Sequence, residues 1–136
     1  MNTLYTKMIE YYSGDPKRIQ HFTKVHSYAR LIGQLEHLSD DTQNILEIAA
    51  LVHDIGIKIS ELKYGNCNGK NQEKEGKAEA EKLLTELGYP QEVIERVSYL
   101  VGHHHSYDQI EGMDYQILVE ADFIVNMYED AESEEN

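Results

Sequence analysis

Apolar residues recur along this chain at steps of three and four, and no stretch alternates apolar with polar over the length of a strand. That periodicity confines the chain to packed helices. Asp15 and Pro16 read as the cap and first residue of a helix carrying Phe22, Val25, Ala29 and Ile32 and ending near Leu38. Ser39 and Asp40 open the next, whose Ile45, Ile48, Ala49 and Val52 lead to His53 and Asp54. A polar-faced helix is predicted from Gln72 to Leu87, with Gly88 beyond its end. Pro90 starts another, with Val93, Ile94, Val97, Leu100 and Val101 on its inner stripe, and Asp114 caps a last one bearing Tyr115, Leu118, Val119, Phe123 and Asn126. With a helix over Met1 to Tyr12, the expectation is an all-α single bundle of about six helices. Between Ile57 and Asn71, Gly65, Asn66, Asn68 and Gly69 crowd around Cys67 and predict a long polar loop, with one turn at Ser60 to Tyr64.

A length of 136 residues fits one domain, expected over residues 1–128, followed by an acidic, frayed tail over 129–136. Such a domain buries enough surface to fold without disulfide or metal, so any metal must be justified by its site. Twelve Lys and Arg stand against 25 Asp and Glu, a net charge of −13. That charge repels polyanions, which makes nucleic acid polymers and anionic membranes poor default partners and favours a small substrate. The lone Cys67, the absence of a basic and apolar leader pattern and the lack of any span-length apolar run point to a cytoplasmic protein.

Several ionisable residues fall on the predicted inner faces. His26 lies three and seven positions before Ala29 and Gly33, and His53 four and eight after Ala49 and Ile45. His104 and His105 follow Val101 by three and four, whereas His103 falls off that stripe. Asp122 follows Leu118 by four and Val119 by three. Taken alone, Asp54 fits a helix cap as well as a ligand, and the His triplet fits a surface cluster. His21 and His37 read as hydrogen-bonded structural residues. Two buried carboxylates beside several imidazoles nevertheless require a compensating positive charge, which a divalent cation bound by N and O donors supplies.

In order, His26, the His53-Asp54 pair within Leu51-Val-His-Asp-Ile-Gly56, and Asp122 within Glu120-Ala-Asp122 resemble the HD-domain superfamily of metal-dependent phosphohydrolases, over Lys17 to Asn126. The resemblance implies a helical bundle with His26, His53, Asp54 and Asp122 as metal ligands. His104 and His105 would fill the later positions of members that hold a second metal. Gln72 before Gly76 stands where such members have a further His, leaving one or two ions per chain (Mn, Fe, Zn, Ni, Co or Mg) open. Gly88-Tyr89-Pro90 precedes the His triplet rather than following it, and Lys58 is displaced by Ile57, so the cyclic-dinucleotide subgroup is rejected.

The implied activity is hydrolysis of a small phosphate ester or nucleotide by a metal-activated water. Asp54 would orient that water or bridge two metals, and His104 or His105 would protonate the leaving oxygen or bind phosphate. Arg30, Lys58 and Lys63, with Lys70, are candidate phosphate contacts, and the loop around Cys67 a candidate cover. The alternative is a noncatalytic metal- or nucleotide-binding module. A third reading takes the acidic tail and the ten tyrosines as a protein-binding surface.

Overall fold

A computed structural model describes residues 1–66 and 68–135, with side chains as far as residue 131. Its described residues form seven α-helices: α1 (Asn2–Tyr11), α2 (Pro16–Leu35), α3 (Asp40–Val52), α4 (Gly56–Tyr64), α5 (Gly69–Glu86), α6 (Gln91–Val101) and α7 (Met113–Glu135). A 3-10 turn over Tyr107–Gln109 links the last two. The expected all-α bundle is what forms, and among these residues no helix is long and apolar enough to cross a membrane.

Helix α3 is the central element, touching α1, α2, α6 and α7. Its sequence explains the position. Ser39 accepts a hydrogen bond from the Thr42 N–H at 3.2 Å, and Asp40 and Asp41 favour the positive end of the helix dipole. The second half, Ile48 to Val52, is apolar all round and fully buried, as a helix enclosed on every side must be. Helix α2 begins as predicted, with Asp15 Oδ1 accepting from the Arg18 N–H, and lies between α3 and α7.

The segment after His53 and Asp54 departs from the expected long loop. It is mostly helix: α4 begins at Gly56, and α5 begins at Gly69, where Asn68 Oδ1 accepts from the Asn71 N–H at 2.9 Å. Gly56, read in the sequence as a helix weakener, is needed for packing. A Cβ there would lie 2.4 Å from the Gln72 carbonyl oxygen and 2.5 Å from the Gly76 nitrogen, so only glycine lets α4 and α5 approach this closely. Gly65, at φ +71°, then ends α4 in the left-handed conformation. Helices thus take most of the stretch expected to be loop, and the expected cover is centred on Cys67, which lies outside the described residues.

Helix α7 continues to Glu135, through the acid run where a frayed tail was expected; Asn136 and the side chains of residues 132–135 lie outside the described set. The turn after α6 is pinned to α7 by Tyr115, whose hydroxyl lies against the carbonyls of His103 and Ser106. Arg96 adds a two-pronged contact to Asp114, at 2.9 Å from Nε and 2.7 Å from the terminal nitrogen.

Candidate metal centre

Because α3 ends at Val52, His53 and Asp54 sit at the tip of the central helix, inside the bundle rather than on its surface. Helix α2 brings His21 to the same point, α7 brings Asp122, and the turn after α6 brings His104. His53 is 1% exposed and Asp122 7%, so neither charge is dispersed by water.

The donor atoms converge. His21 Nε2 lies 3.1 Å from Asp54 Oδ2 and 3.1 Å from Asp122 Oδ1. His53 Nε2 lies 3.2 Å and 3.4 Å from the same two oxygens, and the two Nε2 atoms face each other at 3.4 Å. One ligand atom from each of His21, His53, Asp54 and Asp122 falls within 4.8 Å of all the others. Ligands about 2.0–2.2 Å from one tetrahedral ion stand roughly 3.4 Å apart, so the spacing suits a shared cation.

Three imidazoles are also turned for the task. His53 Nδ1 donates to the Ala50 carbonyl at 2.7 Å, and His104 Nδ1 to the Val101 carbonyl at 2.7 Å. A carbonyl only accepts, so the proton of each neutral ring is on Nδ1 and the Nε2 lone pair faces inward. His21 Nδ1 is held by Glu129 Oε1 at 2.8 Å, a carboxylate-histidine pairing of the kind that orients metal ligands. His104 Nε2 is buried without a hydrogen-bond partner, 3.5 Å from Asp54 Oδ1. An orphaned buried lone pair and two adjacent buried carboxylates are what a cation relieves, so the residues present fit the group.

In the absence of a cation, protons take over part of that work. Burial lowers the affinity of His21 for a proton, but its hydrogen bonds to Asp122 and Asp54 outweigh burial and push its pKa up to about 9. His53 moves the same way: burial opposes, and the charges of Asp54 and Asp122 prevail. Burial would raise Asp54 and Asp122, yet the positive charge of His53 and the surrounding imidazole hydrogen bonds hold both well below the usual carboxylate range.

A second group of donors adjoins the first. Asp54, His104 and His105 also offer ligand atoms within 4.8 Å of one another. Asp54 thus presents one oxygen to His21 and His53 and the other towards His104. His105 Nε2 donates to Gln72 Oε1 at 3.1 Å, at the position where the sequence lacks a histidine. Burial first, and then the neighbouring His104, lower the pKa of His105 and keep it neutral. His103 turns away, its Nδ1 on the Tyr99 carbonyl and its ring stacked on Tyr99.

Not every expected residue arrives. The structure does not bring His26 to the cluster. It stands beyond α2's other flank, Nε2 3.2 Å from Glu47 Oε1 but off the line of a hydrogen bond, with its ring edge-on to Tyr5. His21, read as a structural histidine, occupies the place assigned to His26. The cause is helical rotation: five residues turn the side chain about 140° around the axis. The same spacing rule finds His21, which lies four and eight positions before Val25 and Ala29. Glu129, dismissed as part of a solvated acid run, is the residue sequence reasoning missed; its place seven positions after Asp122 was the signal.

The expected cations are also elsewhere. Arg30 borders a small cleft of about 230 Å³ beside His26. Lys58 donates to the Tyr11 carbonyl at 3.3 Å and lies over the Tyr11 ring, because α4 turns it outward. Lys63 pairs with Glu75 at 3.2 Å. A larger cleft, about 630 Å³, opens directly on His21, Asp54, Asp122 and His105, and none of these three cations lines it.

Comparison with known proteins agrees with this architecture. The HD domain family matches residues 18–135, and the chain belongs to that family. Among solved structures, a crystal structure of a predicted HD superfamily hydrolase from an uncultured Thermotogales bacterium superposes with a TM-score of 0.71 at 24% identity, covering 90% of this chain. This chain spans 66% of that protein's length, so the likeness speaks for the fold. No curated protein matches the sequence.

Proposed function

We propose that this chain is a metal-dependent phosphohydrolase acting on a small phosphate ester, with His21, His53, Asp54 and Asp122 holding a divalent cation. The observation that carries this reading is the shared orientation of His21 and His53: each has Nδ1 tied behind it and Nε2 turned to the same two buried carboxylates. A cation held by these residues would supply Lewis acidity to a phosphoryl oxygen and to water.

The side chains divide the remaining work. Asp54, in contact with three imidazoles, would orient the attacking water, a role its contacts support. His105, neutral and on the cleft wall, offers a site for proton exchange with the departing alcohol, with His104 packed against it at 3.9 Å between ring centres. The Asp54, His104 and His105 group, which shares its one carboxylate with the first site, would hold any second ion. The cleft over the first group favours catalysis over a closed structural ion, since it leaves a path for substrate.

The test combines metal analysis with release of phosphate from a panel of phosphate esters, for wild type, His21→Ala and His53→Ala. The expected result is joint loss of metal and turnover in both variants. Wild-type protein that holds stoichiometric metal and cleaves no ester with any added divalent ion would instead make the chain a binding module.

A further inference from the structure

The larger cleft has a cationic border that the metal centre does not explain. Lys17, Arg18 and Lys24 of α2 line it together with His21. Arg18 and Lys24 stand three residues to either side of His21, about 4.5 Å along the axis each way, so they bracket the face that reaches the cluster. Among the described residues the Lys and Arg ion pairs are those of Lys7, Lys63 and Arg96, so none of the three border cations is held in an ion pair. In a chain of net charge −13, three cations thus gather at one cleft, whose lining also holds Asp54 and Asp122 of the cluster and, outside it, Asp15 and Glu129. Arg18 is half-buried, and its charge is felt at Tyr12, whose hydroxyl donates to the Asp54 carbonyl at 2.6 Å.

The rest of the lining bears on what the phosphate is attached to. Gln20, Gln72 and Asn126 offer amides, and Ile57 is the one aliphatic side chain among the described lining residues. No Phe, Tyr or Trp is among them. A nucleobase binds by stacking and by burial of its faces, for which such a wall provides little, whereas amides suit hydroxyl groups.

We propose that Lys17, Arg18 and Lys24 form the phosphate seat of this cleft, and that the phosphate is carried by a small polyhydroxylated alcohol, a sugar or polyol monophosphate, rather than by a nucleoside. This rests on the phosphohydrolase reading and names its substrate class. Arg18 supplies a fork for two phosphoryl oxygens, and Lys24 and Lys17 supply point charges. The reaction needs only water: its oxygen bonds to phosphorus, the ester P–O bond breaks, and a proton leaves with the alcohol.

The experiment is calorimetric titration of the metal-loaded protein with inorganic phosphate, for wild type, Arg18→Gln, Arg18→Lys, Lys24→Gln and the distant control Lys82→Gln. Metal content is measured on each. A charge-assisted hydrogen bond lost to glutamine predicts phosphate binding weaker by about 10- to 100-fold in Arg18→Gln, with partial rescue in Arg18→Lys and no change in Lys82→Gln. The metal content stays at the wild-type level. With glucose 6-phosphate as substrate, KM rises by a similar factor while kcat holds within about threefold, the signature of lost ground-state binding. Wild type prefers glucose 6-phosphate over adenosine monophosphate by about tenfold or more in kcat/KM, some 1.4 kcal/mol.

Hydrolysis by wild type with Arg18→Gln and Lys24→Gln matching it in phosphate affinity overturns the seat and leaves the phosphohydrolase reading standing. Preference for adenosine monophosphate overturns the assigned alcohol. Phosphate binding that depends on Arg18, in a protein that cleaves no ester, keeps the seat and removes the phosphohydrolase reading.

Discussion

His21 and His26 occupy the same helix, five residues apart, and meet opposite environments. His21 faces two carboxylates across a shared centre and is backed by a third, Glu129. His26 faces a single carboxylate, Glu47, on the α3 side. Both satisfy a helical stripe, because an apolar stripe wider than about 100° admits residues some 140° apart at its two edges. The lesson is that periodicity finds the buried side of a helix and leaves open which neighbour it faces. The sharpest way to break the comparison is to truncate each histidine in turn. We expect His21→Ala to weaken metal binding by more than about a hundredfold, beyond the range seen for outer-shell partners, and to abolish turnover. His26→Ala should keep wild-type metal content, measured by elemental analysis after dialysis. Equal metal loss in the two variants would end the distinction drawn here.

A smaller effect tests whether the acid behind His21 matters. Glu129 pairs with Nδ1 of His21 and places negative charge behind the imidazole proposed as a metal ligand. Glu129→Gln keeps a hydrogen-bonding group of the same size and removes that charge. The expected outcome is metal affinity lower by about 10- to 100-fold, read by competition with a chromophoric chelator. Glu47→Gln, the matching change beside His26, should leave the affinity unaltered.

These two histidines also show how much of the molecule was legible in advance. The three-and-four period of Phe22, Val25, Ala29 and Ile32 suffices for α2, just as Ile45, Ile48, Ala49 and Val52 suffice for α3, because burial of a helix face leaves its imprint on one segment at a time. His53, Asp54 and Asp122 are legible for the same reason: each is an ionisable group on such a face. The choice between His21 and His26 depends on the rotation of α2 against α3 and α7, a relation between segments that no single segment encodes. Helix α4 was hidden differently. Gly56 reads as a breaker until α5 is seen against it, where the close approach to Gly76 makes glycine a requirement. Lys17, Arg18 and Lys24 border a cleft that α2 forms together with residues of other helices, so no pattern within α2 alone marks them.

Acidity should separate the cluster from the rest of the molecule by sign. In the metal-free protein the raised pKa of His21, about 9, and that of His53, also raised, mean that the folded state holds protons the unfolded chain releases above about 6.5. The resulting stability is fully present below the unfolded value and is lost as pH rises through the folded one. Chelated protein should therefore melt at progressively lower temperature from pH 6.5 towards pH 9. Metal-loaded protein should not, because the cation replaces those protons and binds more tightly as they leave. The gap between the two melting curves widens with pH by several degrees, about 1 kcal/mol corresponding to roughly 4 °C in a domain of this size. A gap that narrows over that range would mean the imidazoles and the cation do not compete for one site.

His26 predicts the opposite slope and the smallest effect. Burial lowers its pKa, with Glu47 opposing only in part, so the folded chain keeps this ring neutral where the unfolded chain takes up a proton. Its contribution to stability is thus present above about 6.5 and falls away as the solution becomes more acidic. His26→Gln removes the titration and retains a polar group beside Glu47. Measured on metal-loaded protein, to silence His21 and His53, the melting temperature of wild type minus that of the variant should decline from pH 7.5 to pH 5.5. A difference that stays flat would mean that Glu47 cancels the effect of burial, and one that grows towards acid that His26 is held charged, as the metal-free cluster holds His21.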